Sequence, residues 1–93
     1  MTPHPIQWKR EAIADLIGIG LKIAADSPLS AERMISLIES KLTPLIDHPN
    51  LGKSGRKRGV RELLANDNYL VVYRVLPTSV EILRIKHSQQ QWP

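Results

Sequence analysis

The sequence predicts an α+β domain, ordered β-α-α-β-β-β, in which an antiparallel helical hairpin packs on a small, mainly antiparallel β-sheet. Three observations predict it. Between Trp8 and Ile46 apolar residues recur every three or four positions, the spacing of one helix face. From Gly59 to His87, read as GVRELLANDNYLVVYRVLPTSVEILRIKH, three runs dense in Val, Ile, Leu and Tyr are separated by two short turn clusters, which makes a meander of three strands. Ahead of both, residues 1–7 carry Pro3 and Pro5, which suit an N-terminal extended strand or arm ending near Trp8.

The first helix is expected from Trp8 to about Ala25. Ala12, Leu16, Ile19 and Ile23 form its apolar line, widened by Ile13, Ile17, Gly20 and Ala24, with Glu11, Asp15 and Lys22 on the opposite face. Gly18 and Gly20 weaken a helix interior, so another element is expected to approach closely there. Asp26-Ser27-Pro28 stops this helix and starts the next, with Ser27 as cap and Pro28 at the first helical position. The second helix shows Ala31, Met34, Ile35, Ile38, Leu42, Leu45 and Ile46 on one face. Pro44 is expected to thin its last turn.

Leu51–Gly59, LGKSGRKRG, reads as an exposed loop. The segment from Lys53 to Arg61 holds five of the thirteen cations and no acid. The strands follow as Val60–Ala65, Tyr69–Leu76 and Val80–His87, broken at Asn66-Asp67-Asn68 and Pro77-Thr78-Ser79, residues that favour turns. Strict alternation sets Val80, Ile82, Arg84 and Lys86 on one side of the last strand and Glu81, Leu83, Ile85 and His87 on the other. Neither side is uniformly apolar, so the pattern does not say which one meets the helices.

Residues 1–93 are expected to form a single domain, since a chain of 93 residues buries roughly two-thirds of its unfolded surface around one core. The absence of cysteine excludes disulfides and thiolate metal sites, and the unclustered His4, His48 and His87 disfavour a metal site. No run approaches the roughly 20 apolar residues of a membrane helix and no signal-peptide plan is present, so the protein is expected to be cytoplasmic. The net charge of +4 favours acidic partners, either nucleic acid or an acidic protein segment. No helix-turn-helix pattern supports sequence-specific DNA binding.

The order of helical hairpin, basic loop, GVREL, NYLVVYRV and VEILRIKH closing on QQWP resembles the ParE branch of the RelE/ParE superfamily, the toxins of type II toxin–antitoxin and plasmid-stabilisation systems. Ala12-x-x-Asp15-Leu16-x-x-Ile19, Arg61-Glu62-Leu63, the strand Tyr69 to Arg74, and Leu83-Arg84-x-x-His87 with Trp92-Pro93 carry the likeness. The resemblance implies a small toxin held inactive by a co-encoded, ParD-like antitoxin whose acidic C-terminal segment wraps onto it. ParE-like members are associated with poisoning of DNA gyrase, and RelE-like members with cleavage of mRNA in the ribosome. Neither activity implies a cofactor.

The two activities need different residues. RNA cleavage needs cations for the developing phosphorane charge and a group that moves the 2′-hydroxyl proton, and His87, Arg61 and Lys86 are the candidates. RelE-like nucleases carry an arginine just before the central strand and another shortly after the last. Leu70 and Gln89 or Gln90 stand there in this chain, which argues against an enzyme. The expected function is therefore a toxin acting by binding, with gyrase as target. A ribosome-dependent endoribonuclease is the alternative, and a non-toxic, antitoxin-binding relic is a third. The expected partner-binding residues are Lys53, Arg56, Lys57, Arg58, Arg61, Arg74, Arg84 and Trp92. For several of them a purely structural role competes: Arg61 and Arg74 pairing with carboxylates, the latter with Glu81, and Trp92 packing on the helices.

Overall fold

A computed structural model describes residues 3–89. The elements run β1 (Ile6–Trp8), α1 (Arg10–Ala24), α2 (Pro28–Leu42), a single 3-10 turn (Thr43–Ile46), β2 (Lys53–Ser54), β3 (Arg61–Leu64), β4 (Tyr69–Val75) and β5 (Val80–His87). The expected hairpin-on-sheet architecture is present. The Ser27 hydroxyl accepts the Ser30 N–H and Pro28 opens α2. At Pro44 the second helix tightens into the 3-10 turn, because proline removes the N–H that an α-helical turn would use.

The sheet has five strands in the order β1-β5-β4-β3-β2, one more than expected. The addition is β2, two residues inside the basic segment that pair antiparallel with Arg61 and Glu62. β1 lies parallel to β5, with Ile6 opposite Val80 and Trp8 opposite Ile82. The other neighbours are antiparallel.

β5 contains a bulge that the alternation argument did not foresee. Tyr73 faces Ile82 while Val72 faces Arg84, so Leu83 is an extra residue. One added residue reverses side-chain parity. Val80 and Ile82 therefore share the helix-facing side with Ile85, although an unbroken strand would put Ile85 opposite them. All three join Val71 and Tyr73 of β4, Ala12 of α1, and Ile38, Leu42 and Leu45 of α2 and its terminal turn in one buried core.

α1 departs from its expected orientation in two respects. Ala12 and Gly20 are buried, but Ile13, Ile17 and Leu21 are 45%, 56% and 69% exposed, so the apolar arc overruns the surface that the sheet and α2 cover. Asp15, expected on the solvent face, is half-buried against β5. β1 pairs only with the first three residues of β5. Beyond Ile82 the strand edge is flanked by α1 instead, and Asp15 supplies the acceptor that a neighbouring strand would have provided.

Candidate functional site

The basic segment folds back on β3 and borders a cleft of about 500 Å³ lined by Arg56, Lys57, Arg58, Arg61, Ser54 and Val75 among others. Glu62 organises it from below. Its side chain is buried and accepts the Arg56 backbone N–H at 3.3 Å, with the Arg56 guanidinium Nε at 3.9 Å. Gly59 closes the turn with φ +79°, a conformation that side chains disfavour.

Behind the cleft, Arg61 donates to the carbonyl oxygens of Gly52 at 2.7 Å and Asn50 at 3.4 Å. The buried Tyr73 hydroxyl accepts the Gly52 N–H at 2.7 Å and donates to the Pro49 carbonyl at 2.8 Å. Gly52 admits that hydroxyl only because it lacks a Cβ, which would lie 2.7 Å from the Tyr73 oxygen. Arg61 and Tyr73 together fix the chain entering β2. Arg61 is thus bound to main-chain oxygens rather than to the carboxylate considered from sequence.

Two other expected site arginines meet carboxylates within the chain. Arg74 pairs with Glu81 on the neighbouring strand, as weighed from sequence, and Lys9 approaches the same carboxylate at 3.5 Å. The Arg74 hydrogen bond, with help from Lys9, holds Glu81 below the ordinary carboxylate range. Arg84 forms a two-pronged contact with Asp15, Nε to Oδ2 at 2.8 Å and Nη2 to Oδ1 at 3.1 Å, while the Ile85 N–H donates to Oδ2 at 2.9 Å. Burial pushes the Asp15 carboxyl up, but the Arg84 and Ile85 hydrogen bonds and the charges of Arg84 and Lys86 outweigh it and hold the group low. The same contact raises Arg84. Sequence reasoning left Asp15 without this role. The signal available was an acid on the helix that follows a short first strand, one turn beyond its start.

The three nuclease candidates are not brought together. His87 stands opposite Tyr69 at the start of β4, and Arg61 stands opposite Tyr73, four residues and roughly 13 Å along the strand. Lys86 projects to the other side of the sheet from His87. Among the described residues, those near His87 include Tyr69, whose ring meets it edge-on at 5.7 Å between centroids, Gln89, whose N–H donates to its Nδ1 at 3.3 Å, and Asp15 and Lys22 of α1, which border the same cleft. Leu70, in the place of a nuclease arginine, is buried. Of the expected partner-binding residues, Arg56, Lys57, Arg58 and Arg61 converge on the cationic cleft and Lys53 lies beside it in β2. Arg74 and Arg84 lie elsewhere on the sheet, and Trp92 falls outside the described residues.

A second surface is apolar. Ile17, Gly20, Leu21, Ala24, Pro28, Ala31 and Ile35, with Glu32, line a groove between the ends of α1 and α2, and the exposed Ile13 lies one helical turn before Ile17.

Two helices on a mixed five-stranded sheet, with a cationic cleft at one sheet end and an apolar helical face, define the class as a small toxin domain of the RelE/ParE type. Residues 6–92 match the family model of the ParE toxin of type II toxin–antitoxin systems, parDE, and the chain belongs to that family. It is 37% identical over 94 residues to a putative toxin, Y4kP, of Sinorhizobium fredii, covering 100% of this chain and 97% of that one. It is 32% identical over 83 residues to Toxin RelE2 of Caulobacter vibrioides, covering 89% of this chain and 93% of the relative. Among solved structures, a chain of the chromosomal ParDE system from P. aeruginosa superposes with a TM-score of 0.81 at 26% identity, covering 94% of this chain and 98% of that one.

Proposed function

We propose that this toxin acts by binding DNA gyrase and is neutralised by a cognate antitoxin that covers its helical hairpin. The observation that carries the gyrase reading is the match of residues 6–92 to the ParE family. The dispersal of His87, Arg61 and Lys86 supports it, since transition-state stabilisation of phosphoryl chemistry needs convergent donors. The exposed row of Ile13, Ile17 and Leu21, of which Ile17 and Leu21 line the groove between α1 and α2, suits the apolar face of an amphipathic antitoxin segment. The cationic segment suits its acidic residues. Among the described residues no helix is long and apolar enough to cross a membrane, and the proposed site of action is the cytoplasm.

Purified protein titrated into supercoiling reactions with ATP tests this reading. Inhibition with trapped, cleaved DNA is expected. Folded protein that leaves supercoiling untouched at micromolar concentration would refute it.

The similarity to Toxin RelE2 and the exposed His87 favour one second reading, cleavage of mRNA in the ribosome. Under it, His87→Ala abolishes growth inhibition while the protein stays folded. Under the gyrase reading the variant remains toxic.

A further inference from the structure

Gly18 and Gly20 lie two residues apart in α1, where each weakens the helix relative to alanine, yet only one is explained by the fold. A Cβ at Gly20 would lie 3.0 Å from Cδ1 of Ile35, so the close passage of α2 favours a small residue there. A Cβ at Gly18 would meet nothing within 4 Å. Among the described residues no contact accounts for the missing side chain.

Gly18 instead forms part of the floor of a cleft of about 470 Å³ between α1 and the far end of β5. That size falls within the roughly 300–1,000 Å³ of small-molecule sites. Ala14, Gly18 and Lys22 follow one another at four-residue intervals along the helix, flanked by Ile19, and Tyr69, Ile85 and His87 form the sheet side. Asp15 pins the helix to the strand edge by accepting from Arg84 and the Ile85 N–H. The small residues Ala14 and Gly18 then leave space where larger ones would close it.

The chemistry of the lining is asymmetric. Ala14, Gly18, Ile19 and Ile85 offer an apolar bed, and Tyr69 and His87 a ring wall. The one carboxylate, Asp15, has both oxygens engaged by donors of the chain itself, whereas Lys22 brings a cation. We propose that this cleft binds a small amphipathic anion, a flat apolar body carrying one carboxylate, sulfonate or phosphate group, with its body over Gly18 and its charge toward Lys22. Such a site is separate from both the cationic cleft and the groove between the helices.

The test uses the full-length protein with 8-anilinonaphthalene-1-sulfonate and 2-naphthoate as probes, and neutral 2-naphthalenemethanol as the uncharged comparison. Binding is followed by fluorescence for the sulfonate and by amide chemical shifts for all three. Saturable, one-site binding of the anions is expected, with shifts centred on Gly18, Ile19, Lys22, Ile85 and His87. Gly18→Met should fill the cleft and weaken both anions at least tenfold without lowering the melting temperature, and Ala14→Met should do the same from the next turn. Lys22→Ala should weaken the anions at least threefold and leave the neutral compound unchanged. Three results would each overturn the proposal: wild-type affinity in folded Gly18→Met, equal affinity for anion and neutral compound in the wild type, or shifts centred on Ile17, Leu21 and Ile35.

Discussion

Replacing Asp15 separates two jobs done by one carboxylate. In Asp15→Ala the Ile85 N–H loses its acceptor at a half-buried position, which costs about 1–3 kcal/mol. The Arg84 ion pair is lost as well. Its side chains are 18% (Asp15) and 40% (Arg84) exposed, so solvent screening limits that part to about 0.5–1 kcal/mol. The expected total is about 1.5–4 kcal/mol, or a fall in melting temperature on the order of 10–30 °C for a domain of this size. Asp15→Asn keeps an oxygen for the Ile85 N–H but loses the charge and the acceptor for Arg84 Nη2, so a smaller loss of about 1 kcal/mol is expected. Urea titrations of both variants measure the difference. Because the folded Asp15 carboxyl titrates below its ordinary value of 3.8, its stabilisation is complete above that value and is lost as pH falls through it toward the folded pKa. The wild type should therefore lose stability below about pH 4 more steeply than Asp15→Asn. Glu81, also held low, leaves a residual slope in both. Equal destabilisation by Ala and Asn, or midpoints within about 0.5 kcal/mol of wild type for both, would refute the edge-capping argument.

Other outcomes follow from contacts already described. Tyr73→Phe leaves the Gly52 N–H and the Pro49 carbonyl without the hydroxyl that joins them; a loss of about 1–3 kcal/mol in urea unfolding and faster amide exchange at Gly52 are expected. Ile38→Ala, at a fully buried core position, should cost about 2–5 kcal/mol by the same assay. If the cationic segment steers an acidic antitoxin, stopped-flow association should slow steeply with added salt, and Lys57→Glu with Arg58→Glu should flatten that dependence.

The helices could be read from sequence because their period spans several turns and their caps are chemically explicit at Ser27 and Pro28. β4 and β5 could be read because a long run of branched residues has few other homes. What sequence left open has physical causes. A two-residue strand such as β2 has no period to detect. The bulge at Leu83 reverses parity at a point that no residue type marks, so the helix-facing side of β5 was undecidable. Asp15 sits where a helical wheel places a solvent-facing acid, and only the shortness of β1 turns that direction toward an open strand edge. The cationic cleft was visible as composition, but the engagement of Arg61 by main-chain oxygens and of Arg84 by Asp15 depends on contacts remote in sequence. His87 was visible as a candidate, and its company of Tyr69 and Lys22 was not.

The parallel pairing of β1 with β5 has a consequence for how the molecule is made. Ile6 has to wait for Val80, and α1 waits for Arg84 and Ile85 before Asp15 has anything to hold. During synthesis α1 can therefore meet α2 early, but β5 must be made before β1 can pair and before Asp15 can pin α1 to the sheet. Contacts so distant along the chain slow the final closure of the fold. A nascent chain whose β5 is still unmade lacks the strand that joins β1 to β4, and so has no continuous sheet.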